Sequence, residues 1–136
     1  FDAVEAMRLY RDNFKPSGSH KQPFAILATH VVCADTDEEA ERLAATVDLN
    51  FVRRAKGEYQ PLASPEDAAR YEYTPVDKAR IVQNRTRLSV GSSDTVKARL
   101  LPLIEATKAD ELMVTTMIFD HAARKRSYEL LAKAFK

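Results

Sequence analysis

Apolar and polar positions divide the chain into an initial helix followed by strand–helix units. Apolar side chains recur at helical spacing from Phe1 to Phe14 and stop before a Pro-Ser-Gly-Ser stretch. From Pro23 to Ala34 the residues are almost continuously apolar, which predicts a strand buried on both faces of a parallel sheet. Thr36 and Glu39 then have the spacing of a capping box, so we expect a helix that ends near Gly57.

The second half of the chain repeats the strand–helix order twice. A short strand is predicted from Leu88 to Gly91, and Ser92 or Ser93 is expected to cap the helix that follows. A second buried strand is predicted from Glu111 to Phe119, with a capped final helix after it. Because strands alternate with helices, the pattern predicts an α/β fold with parallel strands and right-handed crossovers.

Residues 58–87 interrupt this alternation. The segment is polar and contains three prolines and three tyrosines, and Thr74-Pro75 predicts a short helix to about Gln83. A connection of about 30 residues is long, and long connections are often lids or binding loops. We therefore interpret the segment as lid-like, within a single domain that covers residues 1–136, and expect it to be the most mobile stretch. Its tyrosines either stack on a planar ligand or pack the segment onto the body of the domain.

Composition and charge narrow the classes of function. The 136 residues carry 21 Lys+Arg and 20 Asp+Glu, a balance that argues against nucleic acid or an anionic membrane as the main partner. The single Cys33 excludes an internal disulfide and a Cys-based zinc site, and it fits a reducing cytoplasm. The chain begins with Phe1 inside an amphipathic pattern, so we expect it to be a piece of a longer protein.

One strand–helix junction is a candidate binding site. Gly91, Ser92 and Ser93 lie where a predicted strand meets a helix N-terminus, and the amides there could hold a phosphate or another anion. The residue types alone favour the alternative, an ordinary helix cap.

Other reactive side chains each have two interpretations. His30 in the apolar strand either faces a ligand pocket or is a hydrogen-bonded core histidine. Cys33 lies near a strand end, where sites form in parallel α/β folds, but it has no neighbouring base and is expected to be a small buried side chain. Residues 120–128 either bind a phosphate or a subunit, or form a capped helix with a solvated basic face. The three histidines lack ligand spacing, so no metal is expected.

Several blocks of residues, taken in order, resemble one known family. They resemble the carboxyl-terminal third of bacterial luciferase-like, flavin-dependent monooxygenases. Together the blocks extend over nearly the whole chain. The blocks are Tyr10-Arg11-Asp12-Asn13-Phe14-Lys15-Pro16-Ser17, Val32-Cys33-Ala34-Asp35-Thr36-Asp37-Glu38-Glu39-Ala40, Val90-Gly91-Ser92-Ser93-Asp94-Thr95-Val96, and residues 109–116 and 120–132.

The resemblance implies a fold, a cofactor and a reaction. The family fold is a (β/α)8 barrel with an insertion, and since a barrel needs about 250 residues, this chain would be a partial barrel of strands six to eight with flanking helices. The family uses reduced FMN, or in some relatives a deazaflavin, and O2 to oxygenate a small organic substrate. Its flavin contacts and dimer helices lie largely in the amino-terminal part, so the resemblance assigns no catalytic residue here. The family's mobile loop falls at residues 58–87.

Two functions remain open at this point. The chain is either part of a flavin-dependent monooxygenase, inactive by itself, or a non-catalytic half-barrel that needs another polypeptide. In both cases the missing amino-terminal half of the barrel is a partner. A sheet cut from a barrel would have two unpaired edges and would expose Ile26, Val32, Val114 and Ile118, so we expect a homo-oligomer.

Overall fold

A three-stranded parallel sheet organises the chain. The computed structural model describes residues 2–136, so Phe1, where the first predicted helix begins, lies outside the described residues. The elements in chain order are α1 (Ala3–Asp12), β1 (Ile26–Ala34), α2 (Asp37–Ala55), α3 (Pro65–Arg70), α4 (Pro75–Arg85), β2 (Leu88–Ser92), α5 (Ser93–Thr107), β3 (Glu111–Thr115) and α6 (His121–Ala134). The predicted α/β class, with parallel strands and flanking helices, is confirmed.

The strand order is β2-β1-β3, with the first strand of the chain in the middle. The second half of β1 pairs with β2, from His30 opposite Leu88 onwards, and the first half pairs with β3, as far as His30 opposite Thr115. Three consecutive barrel units would instead place β2 in the middle, because each strand of a barrel lies beside the next one in the chain. The predicted series of strands six, seven and eight is corrected accordingly.

Helices cover both faces of the sheet at the carboxyl end of β1. On one face Val32 packs beneath α2, and on the other face Val31 packs against α5 and α6. Val32 and Ile118, which we expected to be exposed on a bare face, are therefore buried, at 0% and 2% exposure. The first core consists of Val32, Ala34, Ala40, Leu43, Ala44, Val47, Leu88, Val90 and Ile118, and the second of Val31, Cys33, Val96, Leu100 and Leu131.

The sheet face that α2 covers at the carboxyl end of β1 is uncovered at the amino-terminal end of the same strand. Ile26 is 44% exposed and Met113 is 50% exposed. The predicted burial of β1 on both faces holds only for residues 31–34, because α2 does not reach the start of the strand. The predicted buried strand from Glu111 to Phe119 was wrong in both length and burial, since β3 ends at Thr115 and is an edge strand with one covered face.

The helix starts follow the sequence signals closely. Thr36 caps α2, with its Oγ1 accepting a hydrogen bond from the Glu39 amide at 3.2 Å. The carboxylate of Glu39 binds Arg42 at 2.8 Å instead of reaching back to the cap, so only half of the predicted capping box forms. A complete capping box begins α4, where Thr74 and Asp77 bond to each other's backbone amides, which confirms the short helix predicted there.

Residues 58–87 contain two helices that pack on α2. The sequence signals predicted α4 but not α3. Two ion pairs tie the segment to α2 and its C-cap: Arg85 on α4 binds Asp48 at 2.8 Å, and Lys56 binds the buried Asp77 at 2.8 Å. The segment is thus anchored at its second half, whereas its mobility stays a prediction.

Candidate functional site

A cleft of about 330 Å³ opens over the sheet between β1, α2 and the α4–β2 connection. It lies where the two pairings of β1 meet, at the border between the covered and the open half of one sheet face. Cavities of this size accept small organic ligands. The lining residues are His30, Val47, Asn50, Phe51, Arg54, Asn84, Arg87, Leu88 and Met117.

His30 lies at the sheet side of this cleft. Its side chain is exposed, and its Nδ1 is 2.5 Å from the hydroxyl oxygen of Thr115 on the neighbouring strand. That hydrogen bond orients the ring across the sheet. Of the two interpretations of His30, the core histidine is wrong, and the structure places the residue at a pocket.

The polar lining of the cleft is cationic. Arg54 in the last turn of α2 and Arg87 just before β2 contribute guanidinium groups, and none of the lining residues is a carboxylate. The Arg54 guanidinium lies over the ring of Tyr59, with its carbon 6.0 Å from the ring centroid. The charged side chains that line the cleft are therefore of one sign.

The predicted anion site at Gly91, Ser92 and Ser93 lies at the N-terminus of α5, apart from the cleft. Ser92 is the cap, and its amide donates to Oδ1 of Asp37 at 2.6 Å. The Thr95 hydroxyl donates to Oδ2 of Asp37 at 3.1 Å. The chain thus supplies its own anion here, and these hydrogen bonds hold the pKa of the Asp37 carboxyl below its usual range. Binding of a free phosphate by the three residues stays a prediction.

Asp37 is the residue that sequence reasoning missed at this junction. It is one of three acidic residues in the first turn of α2, where acids are common because they complement the helix dipole, so its type and position do not reveal a second role. The missing signal was topological: β1 and β2 are parallel neighbours, so their carboxyl ends lie side by side. An acid that follows one strand therefore meets the helix that follows the other.

Gly91 gives this junction its close packing. Its φ is 149°, a conformation that residues with a side chain rarely adopt. A Cβ at this position would lie 2.6 Å from Cγ2 of Thr95 and 2.9 Å from Oδ1 of Asp37. The Asp37 carboxylate reaches α5 because no side chain stands between them.

Cys33 is a buried structural residue. It is 0% exposed, and its amide donates to the hydroxyl of the buried Ser127 on α6 at 3.0 Å. Burial, reinforced by the charge of Asp35, raises the pKa of the thiol to about 11. The interpretation as a small buried side chain is supported, since a thiol in this state is a poor nucleophile.

Residues 120–128 form the capped start of α6. Asp120 is the cap and accepts from the Ala123 amide at 2.7 Å. Arg126 binds the carboxylate of Asp35 through two hydrogen bonds of 2.6 and 3.2 Å. These contacts favour the capped-helix interpretation over a phosphate site, because one of the cations already has an internal partner.

The tyrosines of residues 58–87 separate into two groups. The rings of Tyr71 and Tyr73 lie 4.9 Å apart, and the Tyr73 hydroxyl donates to the carbonyl of Ala68 at 3.3 Å. The Tyr71 hydroxyl also accepts a hydrogen bond from Nζ of Lys56, the C-cap of α2, at 3.1 Å, so this pair of rings helps to hold the segment against the domain. Tyr59, which is 80% exposed, lies instead over Arg54 at the rim of the cleft.

Among residues 2–136, no group of three or more His, Cys, Asp or Glu side chains is arranged to hold a metal ion. Over the same residues, no helix is both long enough and apolar enough to pass through a membrane.

Comparison with known proteins gives relatives over almost the whole chain. The chain is 44% identical over 130 residues to Uncharacterized protein YceB of Bacillus subtilis and 38% identical to YwcH of the same organism. It is 34% identical over 126 residues, or 93% of its length, to a luciferase-like monooxygenase of Escherichia coli K12. No family model matches the sequence.

The matched region is a part of each relative. The alignments cover 38 to 39% of these relatives, so the chain spans about two-fifths of their length. The crystal structure of apo-MsnO8 has the same arrangement over 98% of this chain and 41% of its own, with 36% identity and a TM-score of 0.84. The chain is therefore similar in sequence to a segment of a luciferase-like monooxygenase, and its fold recurs within a longer chain.

Proposed function

We propose that the chain is the carboxyl-terminal part of a luciferase-like monooxygenase barrel, a cytoplasmic oxidoreductase that oxygenates a small organic substrate with O2 and reduced FMN. A deazaflavin in place of FMN is the variant of this proposal. The observation that carries it is the cleft at His30, which lies at the border of an open sheet face in a segment 34% identical to a luciferase-like monooxygenase. In this proposal residues 58–87 form one rim of the substrate pocket.

The cleft offers apolar surface to a small organic substrate or to the ring system of a flavin. Phe51, Leu88 and Met117 provide apolar surface against which a ring system packs and from which water is excluded. The amides of Asn50 and Asn84 offer donors and acceptors at the same wall. Reduced FMN, when bound, supplies the electrons for oxygen activation, while the chain's own residues position the ligand and keep the site dry.

The test compares the 136-residue chain with the longer polypeptide that the proposal requires. Both receive reduced FMN from a flavin reductase, O2 and decanal, and decanoic acid is measured; a parallel assay supplies a reduced deazaflavin. We expect turnover by the longer protein and none by the short chain. His30→Gln in the longer protein should lower the rate, and His20→Gln, an exposed loop position outside the cleft, serves as its control.

Turnover by the short chain alone would contradict the partial-barrel proposal. Absence of turnover by the longer protein with both flavins would contradict the proposed reaction. An unchanged rate in His30→Gln would remove the cleft from the substrate pocket.

A second candidate, a non-catalytic half-barrel that needs another polypeptide, rests on the open edge of β1. Among the described residues, Ile26–Thr29 have a strand partner only on the β3 side. A wider cleft of about 790 Å³ lies along the other side, between α1 and this edge. Unpaired strand edges and exposed apolar residues such as Ile26 and Met113 favour association. In this candidate a second copy pairs with the edge.

Sedimentation equilibrium over a tenfold concentration range tests this association. A dimer or larger assembly is the expected result. A 15.3 kDa monomer at every concentration would contradict the pairing of a second copy with this edge.

A further inference from the structure

We propose that the cleft at His30 binds the anionic group of a small ligand with an apolar body, and that Arg54 and Arg87 hold that anion. The two arginines come from different elements, the last turn of α2 and the residue before β2, yet line one cleft. No carboxylate lines it with them. An anion that enters the cleft therefore meets two guanidinium groups and no repelling charge.

Three other arginines of the domain are paired with internal carboxylates. Arg85 binds Asp48 at 2.8 Å, Arg42 binds Glu39 at 2.8 Å, and Arg126 binds Asp35 at 2.6 Å. Within the part of the chain that the structure describes, neither Arg54 nor Arg87 has such an ion pair. Their charge is thus available to a ligand, which a paired arginine could offer only by breaking an internal contact.

The geometry of Arg54 suits this role. Its guanidinium carbon lies 6.0 Å from the centroid of the Tyr59 ring, within the range of a cation–π interaction. A guanidinium beside an aromatic ring still presents several N–H groups, and these bind carboxylate or phosphate oxygens in pairs.

The rest of the lining defines the ligand class. Val47, Phe51 and Leu88 supply apolar surface beside the cations, and the volume of about 330 Å³ suits a small molecule. The shared chemistry is a phosphate or carboxylate on an aromatic or aliphatic body. Its source is either the phosphate of a flavin mononucleotide or an anionic organic substrate. The inference goes beyond the proposed function, which is equally compatible with a neutral substrate and a flavin held elsewhere.

Calorimetric titration of the 136-residue chain with matched pairs of ligands tests the inference. FMN is compared with riboflavin, which lacks the phosphate, and 2-naphthoate is compared with the neutral 2-naphthylmethanol. We expect at least one anionic member to bind more tightly than its neutral partner and to weaken as ionic strength rises. Arg54→Gln and Arg87→Gln should each weaken that binding about tenfold and leave the neutral ligands unchanged.

Arg70→Gln is the control, because it changes the net charge equally at an exposed position outside the cleft. A preference for FMN identifies the flavin phosphate as the source, and a preference for 2-naphthoate identifies a substrate anion. A preference for 2-naphthoate would support the anion site without testing the use of flavin, which the turnover assay addresses. Equal binding within both pairs, no binding of either anion at millimolar concentration, or an equal loss in Arg70→Gln would overturn the inference.

Discussion

Replacement of Gly91 by alanine probes the junction at which Asp37 reaches the N-terminus of α5. The backbone at Gly91 has φ of 149°, in a region almost restricted to glycine, and holding alanine there costs about 1–3 kcal/mol. The new Cβ would also lie 2.6 and 2.7 Å from two carbons of Thr95. Rotation of the Thr95 side chain moves only Cγ2, whereas Cβ is fixed to the first turn of α5 and cannot move without displacing it, which adds about 1–3 kcal/mol of overpacking.

The two contributions together predict that Gly91→Ala lowers the free energy of unfolding by about 2–6 kcal/mol, a large part of the about 5–15 kcal/mol typical of a domain. Urea denaturation followed by far-ultraviolet circular dichroism measures this loss. The reason for it is local and steric, so the slope of the transition should not change.

Two other glycines serve as controls. Gly57 has φ of 78° with nothing within 4 Å of an added Cβ, so Gly57→Ala should cost only the strain of a left-handed residue, about 1–2 kcal/mol. Gly18 has open space and no such φ, and Gly18→Ala should be neutral or slightly stabilising. If Gly91→Ala costs no more than Gly57→Ala, the close contact between Asp37, Thr95 and Gly91 is not what holds the two helix starts together.

Three further predictions concern the Lys56–Asp77 ion pair, the buried Cys33 thiol and the mobility of residues 58–87. The hydrogen bond from Lys56 holds the pKa of Asp77 below its usual range, so this pair stabilises the fold above the unfolded pKa of about 3.9 and the stabilisation is lost as pH falls through the lower folded value. Between pH 6 and pH 3 the urea midpoint of Asp77→Asn should therefore fall less than that of the unchanged chain, and parallel curves would contradict this. The Cys33 thiol, with its pKa raised to about 11, should react with Ellman's reagent at pH 8 only in urea, and rapid reaction of the folded chain would show that the site opens. Hydrogen exchange should be fastest in residues 58–87, and protection equal to that of β1 would refute the lid interpretation.

Local signals predicted the elements of this fold well. The cap at Thr36, the proline and capping box at the start of α4, and the apolar run of β1 each depend on residues near in sequence. The helix α3 was not predicted because it has only six residues, although Ser64 and Pro65 mark its start. Such a short helix is stabilised by its contacts with α2 more than by its own sequence.

The covered faces of the sheet and the position of the cleft depend on strand order, and local sequence signals do not determine strand order. The sequence patterns indicate parallel strands but do not say which strand lies between the others, and the position of β1 in the middle decides which faces are covered. For this reason Val32 is buried where exposure was expected, and His30, for which the sequence left two positions open, lines a cleft. The cationic cleft itself joins Arg54 and Arg87, which no motif connects.

The central position of β1 also sets the order in which the sheet can form. Of the three strands of this sheet, β1 leaves the ribosome before the other two, and its last contact with β3, between His30 and Thr115, spans 85 residues. Contacts of such separation slow folding, because a long loop must close before the pairing is gained. During synthesis, therefore, β1 is complete before either of its two partners in this sheet, β2 and β3, has been made. That interval is the time at which the nascent chain is most open to wrong strand pairing and at which a chaperone would have the most to protect.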